Sequence, residues 1–282
     1  MKERAPHDIN QTAPAPIRLI VTDMDGTFLG ADSTASRANC DAVYRAAAIG
    51  VPTVFATGRA SRNLQPLDPV RDAHPLVIAS NGAVITDLDS NAILHHYPLD
   101  PQVTATVAED VRAVLPDVTY AVEYLRTWGR EEKYPLTWYA EAEVIAPVED
   151  LLTHDAVVKL LVRANIPTPN LMAAVAPVVG DRLTVTYSFV SEMGFLEVSP
   201  PGISKASALR QVLSDLSIPP SDVAGFGDMP NDLAMLDLVG HPFVMENGHD
   251  LLKERGFPVC GDHDDSAFGV TVMEILGLSP HR

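Results

Sequence analysis

Apolar residues in the first third of the chain recur in short runs that end at polar or glycine residues. These runs cover residues 17–22, 51–56 and 76–79. Short apolar runs bounded by turn residues are typical of strands buried on both faces, as in a parallel sheet. The helices predicted between and after these strands cover 38–48, ending at Gly50, and a segment that starts after Arg59 and ends before Pro66 or Pro69. The alternation predicts right-handed crossovers and a parallel sheet.

The pattern changes between about residues 83 and 190. Residues 83–94 predict a hairpin around the turn residues 87–91. The chain beyond it mixes helices with longer alternating strands. The elements predicted here are helices over 103–115 and 170–179 and strands over 156–163 and 183–189. Such a mixture is typical of an α+β unit with its own sheet.

The alternation of strand and helix resumes after Gly202. The elements predicted for this last part are helices from Ser204 to Leu216, over 231–239 and over 266–276, and strands over 223–226 and 243–245. The chain is therefore expected to form one α/β domain with a doubly wound, Rossmann-like parallel sheet, interrupted by an inserted α+β domain. The predicted boundaries are 17–84 and 191–282 for the first domain, 85–190 for the insertion and 1–16 for a disordered tail.

The bulk composition narrows the class of function. The chain has 282 residues, 46% of them hydrophobic, which is enough for the cores of two domains. Its net charge of −17 argues against general affinity for nucleic acid, which requires Lys and Arg to neutralise phosphates. No apolar run is long enough to cross a bilayer, and the N-terminal segment lacks the apolar part of a signal peptide. Cys40 and Cys260 are too few for a secreted disulfide framework. We expect a cytoplasmic monomer or small homo-oligomer with neither a membrane nor a nucleic-acid partner.

Two carboxylates follow the first predicted strand. Asp23 and Asp25 stand where open α/β sheets bind ligands, at the carboxyl end of a strand. If the strand geometry persists, residues two apart point to the same side, and the two side chains approach one point. Paired carboxylates repel unless a proton or a cation lies between them. By itself the pair is equally compatible with a cation site and with a solvated turn.

Other polar residues follow the remaining strands of the same predicted sheet. Thr57, Asn81 and Asp228 each stand just past a strand, and Lys205 lies in the first turn of a helix. Because the carboxyl ends of parallel strands share one edge, these side chains are expected to converge with Asp23. A strand-to-helix turn such as 57–59 offers backbone N–H groups to a phosphate. Several carboxylates on one rim require a counter-charge, for which Mg²⁺ is the natural choice. Each residue singly has an ordinary structural explanation as a helix cap or an exposed charge.

The motifs in this order resemble those of the haloacid dehalogenase (HAD) superfamily of phosphohydrolases. The segments that carry the resemblance are Asp-Met-Asp-Gly-Thr at 23–27, Thr-Gly-Arg at 57–59, Lys205 and Gly-Asp-x-x-Asn-Asp at 227–232. Ser-Asn-Gly-Ala at 80–83, the stretch from Glu197 to Lys205 and the position of the insertion resemble the Cof-type branch, subfamily IIB, which carries a C2-type cap. The resemblance extends over nearly the whole chain after the tail, although the cap matches by position and rough secondary structure alone.

The resemblance implies roles for the carboxylates. Asp23 would be the nucleophile that forms an aspartyl-phosphate, and Asp25 would be the general acid and then the base. Mg²⁺ would be bound by the Asp23 carboxylate, the Asp25 backbone carbonyl and Asp228. Asp232 would orient this shell through Lys205 or a water molecule.

The resemblance also implies a cradle for the phosphate. Thr57 and Lys205 would hold the transferring phosphoryl oxygens, with Asn231 and the Gly58 backbone as secondary contacts and Asn81 as a further candidate on the same rim. The expected activity is a Mg²⁺-dependent phosphatase acting on a small phosphorylated metabolite, such as a sugar phosphate. Two alternatives stay open at this point: a phosphomutase with the same aspartate pair, and a non-catalytic protein that binds a phospholigand.

Substrate specificity is expected to lie in the insertion. The candidates there for contact with an anionic or sugar-like group are Arg126, Arg130, Lys133, Trp128, Tyr134 and Trp138. For each of them a solvated face or a packed core is the more common explanation. The pair His95-His96 has no matching ligand cluster, and a surface or hinge position is expected for it.

Overall fold

The computed structural model describes residues 16–136, 142 and 144–278. Its strands are β1 (Leu19–Thr22), β2 (Thr53–Ala56), β3 (Leu76–Ala79), β4 (Val84–Asp87), β5 (Ile93–His96), β6 (Thr119–Tyr124), β7 (Trp128–Arg130), β8 (Val144–Ile145), β9 (Val157–Arg163), β10 (Thr184–Thr186), β11 (Phe195–Ser199), β12 (Val223–Gly227) and β13 (His241–Val244). Its α-helices are α1 (Arg37–Ala48), α2 (Pro101–Val114), α3 (Val148–His154), α4 (Thr168–Val179), α5 (Lys205–Leu216), α6 (Leu233–Leu236), α7 (Asp250–Lys253) and α8 (Ala267–Ile275). Apart from Pro16, the predicted tail lies outside these residues.

The first sheet is built around β1. Its strand order is β13-β12-β1-β2-β3-β4-β5, and the five strands from β13 to β3 are parallel to one another. Strand β4 runs antiparallel to β3, and β5 antiparallel to β4. The carboxyl ends of β1, β2, β3 and β12 therefore meet at one edge, which is where a ligand site is expected in an open α/β sheet.

Both faces of this sheet are covered, which explains why its strands are apolar at nearly every position. On one face, Ile20 and Phe55 belong to a core that also takes Phe268 from α8. On the other face, Val21 packs in a core with Leu209 of α5. Burial on both faces favours uninterrupted runs of Val, Ile and Leu over alternation. The predicted doubly wound α/β fold is thereby confirmed.

A second sheet contains the strands from the middle of the chain. Its order is β10-β11-β9-β6-β7-β8, in which β9 and β6 form the longest antiparallel pair. Helices α2, α3 and α4 supply part of an apolar core with one face of this sheet. The opposite face carries charged side chains of β6, β9 and β11, which lie close to the edge of the first sheet where its strands end. This face forms one wall of the candidate site.

Sheet membership differs from the predicted boundaries at both ends of the insertion. The hairpin predicted over 83–94 forms as β4 and β5, but it extends the first sheet, because β4 pairs with all four residues of β3. Conversely, β11 pairs with β9 and belongs to the second sheet. The second sheet thus runs from Thr119 to Ser199. The division into an α/β domain and an inserted cap remains a proposal.

Several predicted elements differ in type or length. The helix predicted after Arg59 is replaced by 3₁₀ segments over Ser61–Asn63 and Gln65–Ala73, since Pro66 and Pro69 remove two N–H donors from this stretch. The strand predicted over 183–189 is reduced to β10, and the helix predicted over 231–239 is reduced to a 3₁₀ turn followed by α6. Among the described residues, every helix is too short or too polar to span a bilayer.

Candidate active site

Three carboxylates converge where β1 and β12 end. Asp23 follows β1, Asp228 follows β12, and Asp232 closes the 3₁₀ turn that comes after it. All three are buried, with exposures of 6%, 6% and 0%, and each places a carboxylate oxygen within 4.8 Å of those of the other two. The topology of the sheet thus brings together carboxylates that lie about two hundred residues apart in the sequence.

Lys205, the first residue of α5, provides the positive charge of this cluster. Its Nζ donates to Asp23 Oδ1 at 2.7 Å and to Asp232 Oδ1 at 2.7 Å, and its side chain is 1% exposed. Burial by itself lowers the pKa of Lys205, but the ion pairs with Asp23 and Asp232 outweigh burial and leave the pKa raised. Lys205 is therefore an ammonium group at neutral pH.

A single ammonium does not balance three carboxylates. Burial, followed by the charge of Asp232, raises the pKa of Asp23 well above its usual range. Burial and Asp232 likewise raise the pKa of Asp228 to about 7, although Thr27 Oγ1 donates to Asp228 Oδ1 at 2.9 Å. A compact set of buried carboxylate oxygens with excess negative charge suits a hard divalent cation. The donor atoms thus fit Mg²⁺.

Asp232 has a different set of partners from the other two carboxylates. Its Oδ1 accepts from Lys205, and its Oδ2 accepts from the backbone N–H groups of Asp228 at 3.1 Å and Met229 at 3.0 Å. Hydrogen bonds to both oxygens hold this carboxylate against the loop after β12. Asp232 therefore orients Lys205 and the backbone of Asp228 at the same time.

Asp25 does not point into the carboxylate cluster. Strand geometry ends at Thr22, and the chain turns at Gly26, whose φ of +75° is accessible to glycine at little cost. The expectation that the Asp23 and Asp25 side chains approach one point stays a prediction, and the hydrogen bonding with Asp25 and the charges of both carboxylates raise the pKa of Arg59. Asp25 instead receives two hydrogen bonds from Arg59, Nε to Oδ2 at 2.7 Å and Nη2 to Oδ1 at 2.6 Å.

The hydroxyl of Thr57 is oriented by the next turn of backbone. The Arg59 N–H donates to Thr57 Oγ1 at 3.0 Å. Because the oxygen accepts this bond, its own O–H is directed elsewhere and can donate to an anion. Thr57 is 1% exposed and lies directly after β2, at the same edge of the sheet as Asp23.

Asn81 and Asn231 form a polar row that reaches the second sheet. Asn231 Nδ2 donates to Asn81 Oδ1 at 3.0 Å, and Asn81 Nδ2 donates to Thr186 Oγ1 of β10 at 3.3 Å. Asn81 adopts a left-handed backbone with φ of 55°, a conformation that asparagine tolerates better than most residues. The loop after β3 is thus joined to the loop after β12 and to the second sheet.

Several residues of the site were not predicted from the sequence. The Thr-Gly-Arg motif predicts no role for Arg59. No motif contains Lys159, Glu123 or Ser188, whose Oγ accepts from Asn231 Nδ2 at 3.3 Å. Lys159 is nevertheless visible in the sequence as one cation within the apolar run Val-Val-Lys-Leu-Leu-Val at 157–162. A charged residue inside a buried strand requires partners, and this signal marks it as a candidate.

The residues proposed for specificity lie in varied surroundings. Arg130 donates to the backbone carbonyls of Glu131 and Glu132, while Tyr134 is buried in a small apolar cluster of the second sheet. Trp138 lies outside the described residues. His95 is partly exposed on β5 and lies 3.3 Å from Asp215, so it occupies a surface position.

Comparison with known proteins identifies the family of this chain. Residues 20–270 match the model of the haloacid dehalogenase-like hydrolases. The chain is 24% identical over 285 residues to the 5-amino-6-(5-phospho-D-ribitylamino)uracil phosphatase YwtE of Bacillus subtilis, covering 92% of this chain and 98% of YwtE.

Solved structures share the fold over nearly the whole length. BT1666 of Bacteroides thetaiotaomicron, a phosphatase of the same superfamily, superposes with a TM-score of 0.80 at 21% identity, covering 98% of this chain and 99% of that one. The HAD subclass IIB sugar phosphatase BT4131 superposes with a TM-score of 0.77 at 18% identity, covering 92% and 99%.

The chain belongs to the haloacid dehalogenase-like hydrolases. The family match confirms the predicted membership of the superfamily, and the chain shares its fold with a subclass IIB sugar phosphatase. The protein is thus a hydrolytic enzyme, and the carboxylate cluster at the edge of the first sheet is its candidate active site.

Proposed function

We propose that this enzyme is a Mg²⁺-dependent phosphatase that hydrolyses the phosphate monoester of a small metabolite, such as a sugar phosphate, through an aspartyl-phosphate. The observation that carries the proposal is the contact of buried Lys205 with Asp23, beside a second buried carboxylate at Asp228. A nucleophilic carboxylate, a fixed cation and an oxygen-donor set are what phosphoryl transfer requires.

In the first step Asp23 attacks the phosphorus atom, a P–O bond to its carboxylate forms, and the ester P–O bond breaks. Lys205 holds Oδ1 of Asp23 and offsets charge on the transferring group. Thr57 donates its O–H to a phosphoryl oxygen, with the Gly58 backbone, Asn81 and Asn231 lining the adjoining rim. Asp25 supplies the proton that the leaving alkoxide takes.

In the second step a water molecule attacks the aspartyl-phosphate. Asp25, now ionised, takes a proton from that water, the P–O bond to Asp23 breaks, and inorganic phosphate leaves. A Mg²⁺ ion held by Asp23, Asp228 and the Asp25 backbone carbonyl supplies positive charge to the phosphate when it is bound. Asp232 keeps Lys205 and the Asp228 backbone in position through the three hydrogen bonds that it accepts.

The substrate class is supported by the relatives. YwtE is named for a phosphorylated ribitylamino-uracil, and BT4131 is described as a sugar phosphatase. Both names indicate small phosphate esters as substrates of those two proteins. The net charge of −17 of this chain is consistent with a small substrate rather than a nucleic acid. We also propose that the enzyme is cytoplasmic and that it is a monomer or a small homo-oligomer.

The test is a phosphate-release screen with the purified full chain. The substrates are hexose and pentose phosphates, the phosphoribitylamino-uracil, nucleotides and pyridoxal phosphate, each assayed with Mg²⁺ and with a chelator. We expect release from small monoesters, loss of release with the chelator, and loss in Asp23→Asn. Conversion of one sugar phosphate to its isomer without phosphate release would instead establish a phosphomutase, and unchanged release in Asp23→Asn would refute the nucleophile.

A further inference from the structure

A lysine is buried in the middle of the second sheet, close to where that sheet meets the first. Lys159 on β9 is 1% exposed and is among the largest fully buried side chains of the described residues. An isolated ammonium in such a place is strongly unfavourable, so its position depends on its partners. The proposed mechanism gives this residue no part.

Two carboxylates of the second sheet hold the ammonium. Lys159 Nζ donates to Glu197 Oε1 at 2.8 Å and lies 3.2 Å from Glu123 Oε2, and both glutamates are buried. Burial by itself lowers the pKa of Lys159, but the charges of the two glutamates outweigh burial and leave the pKa raised. Lys159 is therefore charged, and its head group is fixed from two sides.

The third partner of Lys159 belongs to the first sheet. Its Nζ also donates to the backbone carbonyl of Gly58, the middle residue of the Thr57–Arg59 segment. The carbonyls on either side are held from within the first domain, where Asn81 N–H donates to Thr57 at 2.9 Å and Ser80 N–H donates to Arg59 at 2.8 Å. The middle carbonyl is thus the one that the second sheet controls.

The carbonyl of Gly58 shares a planar peptide unit with the N–H of Arg59. That N–H donates to Thr57 Oγ1 at 3.0 Å. Fixing the carbonyl on one side of the unit therefore fixes the N–H on the other, and with it the direction in which the Thr57 hydroxyl presents its proton. A rotation of this peptide would leave the hydroxyl free to turn away from the phosphate.

We propose that Lys159 is a positioning residue for phosphoryl transfer: it orients the Thr57 hydroxyl through the Gly58–Arg59 peptide, while Glu123 and Glu197 hold its ammonium in place. The inference rests on the proposed function, because it concerns the phosphate subsite of the same reaction. It also makes the second sheet part of the phosphate subsite, since one hydrogen bond from β9 completes the backbone of the Thr57–Arg59 segment.

The test uses a variant that removes the charges of Lys159 and of its two glutamates, Glu123→Gln with Lys159→Met and Glu197→Gln. Removing Lys159 alone would take a buried cation away from two buried carboxylates and would destabilise the fold. The readout is the affinity for orthovanadate with Mg²⁺, measured by calorimetry, which reports on the phosphate subsite without turnover. We expect the affinity of the triple variant to fall at least tenfold.

A double-mutant cycle with Thr57→Val separates positioning from general damage. If Lys159 acts through the Thr57 hydroxyl, the triple change has no further effect on vanadate affinity in the Thr57→Val background. If the combined variant loses vanadate affinity by the product of the two separate losses, the proposal is overturned. An undiminished affinity in the triple variant would also overturn it. Glu197→Gln alone, which keeps an acceptor for Lys159, serves as a milder variant with the same expected coupling and a smaller loss.

A matched control comes from another ion pair of the same region. Arg112 on α2 donates to Glu131 at 2.6 Å, on the helix-covered side of the second sheet. Arg112→Met with Glu131→Gln is expected to leave vanadate affinity unchanged. Phosphate release by the wild-type enzyme tests the proposed function separately, so a failure there is distinguishable from a failure of the vanadate cycle.

Discussion

Arg59 binds the carboxylate of Asp25 through two hydrogen bonds, of 2.7 Å from Nε and 2.6 Å from Nη2. Such a bidentate pair fixes the orientation of a carboxylate. Asp25 is about half exposed, so these hydrogen bonds, rather than packing, determine where the side chain points. In the proposed mechanism Asp25 transfers a proton to the leaving oxygen, and Arg59 therefore controls whether its carboxyl group is positioned for that transfer.

We predict that Arg59→Met lowers kcat on alkyl phosphates by about ten- to a hundredfold, since general acid–base catalysis depends on a positioned proton donor. The loss should be smaller for p-nitrophenyl phosphate, whose leaving group needs less protonation. Steady-state kinetics on both substrates measure the difference. The matched control is Arg255→Met, because Arg255 also donates to both carboxylate oxygens of an aspartate, Asp237, from its Nη2, and its loss should leave kcat unchanged.

A second prediction concerns the base role of Asp25. In Asp25→Asn the water of the second step has no proton acceptor, so the aspartyl-phosphate should accumulate. With p-nitrophenyl phosphate we expect a burst of about one equivalent of p-nitrophenol per enzyme, followed by a steady rate at least a hundredfold below that of the wild type. Stopped-flow absorbance measures both phases. A slow linear trace without a burst would mean that Asp25 is needed first in the attack step.

The raised pKa of Asp228, at about 7, predicts how stability depends on pH. A carboxyl group with a raised folded-state pKa stabilises the protein fully below its unfolded pKa, and this contribution is lost as pH rises through the folded value. The free energy of unfolding of the metal-free protein should therefore fall between about pH 4 and pH 7. Urea unfolding across this range should show a flatter dependence in Asp228→Asn, and added Mg²⁺ should restore stability at the upper end.

Removal of Lys205 should damage stability and activity together. Lys205→Met leaves Asp23 and Asp232 buried without their cation, which typically destabilises by about 3–5 kcal/mol. Phosphate release should fall at least a hundredfold because the charge that faces the phosphoryl group is lost. In Lys205→Met with Asp232→Asn, urea unfolding should show partial recovery of stability while activity stays low. Recovery of activity along with stability would argue against a direct role of Lys205.

Gly26 and Gly50 offer a matched comparison of backbone strain. Both have positive φ, +75° and +81°, but a Cβ on Gly26 would collide with the Asp228 carboxylate, whereas Gly50 has open space around it. Alanine at either position should cost about 1–2 kcal/mol of left-handed strain. Of the two variants, only Gly26→Ala should also displace Asp228 and raise the Mg²⁺ concentration needed for half-maximal activity. An equal Mg²⁺ requirement in both variants would contradict the placement of Asp228 at the metal.

The parts of the site that follow from strand topology could be predicted from the sequence. Asp23, Thr57 and Asp228 directly follow apolar runs, and the edge they share is a consequence of parallel pairing. The doubly wound fold was predictable for the same reason, because strands buried on both faces are apolar throughout. Lys205 was identifiable as a cation at a helix start, where it opposes the helix dipole.

The rest depends on contacts that no local pattern encodes. Asp25 is held by Arg59, a partner 34 residues away. Lys159 reaches Gly58 across the junction of two sheets, over 101 residues of sequence. The predicted boundaries of the insertion do not coincide with the limits of the second sheet. The reason is that β4 and β11 are short strands whose sheet is determined by pairing with β3 and β9, and not by their own residues.

The position of β12 in the first sheet has a consequence for synthesis of the chain. On the ribosome, β1 gains its neighbour β12 only after residues 223–227 have been made, whereas the second sheet has all its strands once Ser199 has emerged. Until then one edge of β1 is an unpaired template for other strands. The strands of the second sheet are thus complete while the first sheet still lacks β12, and a nascent chain halted before β12 exposes an aggregation-prone edge.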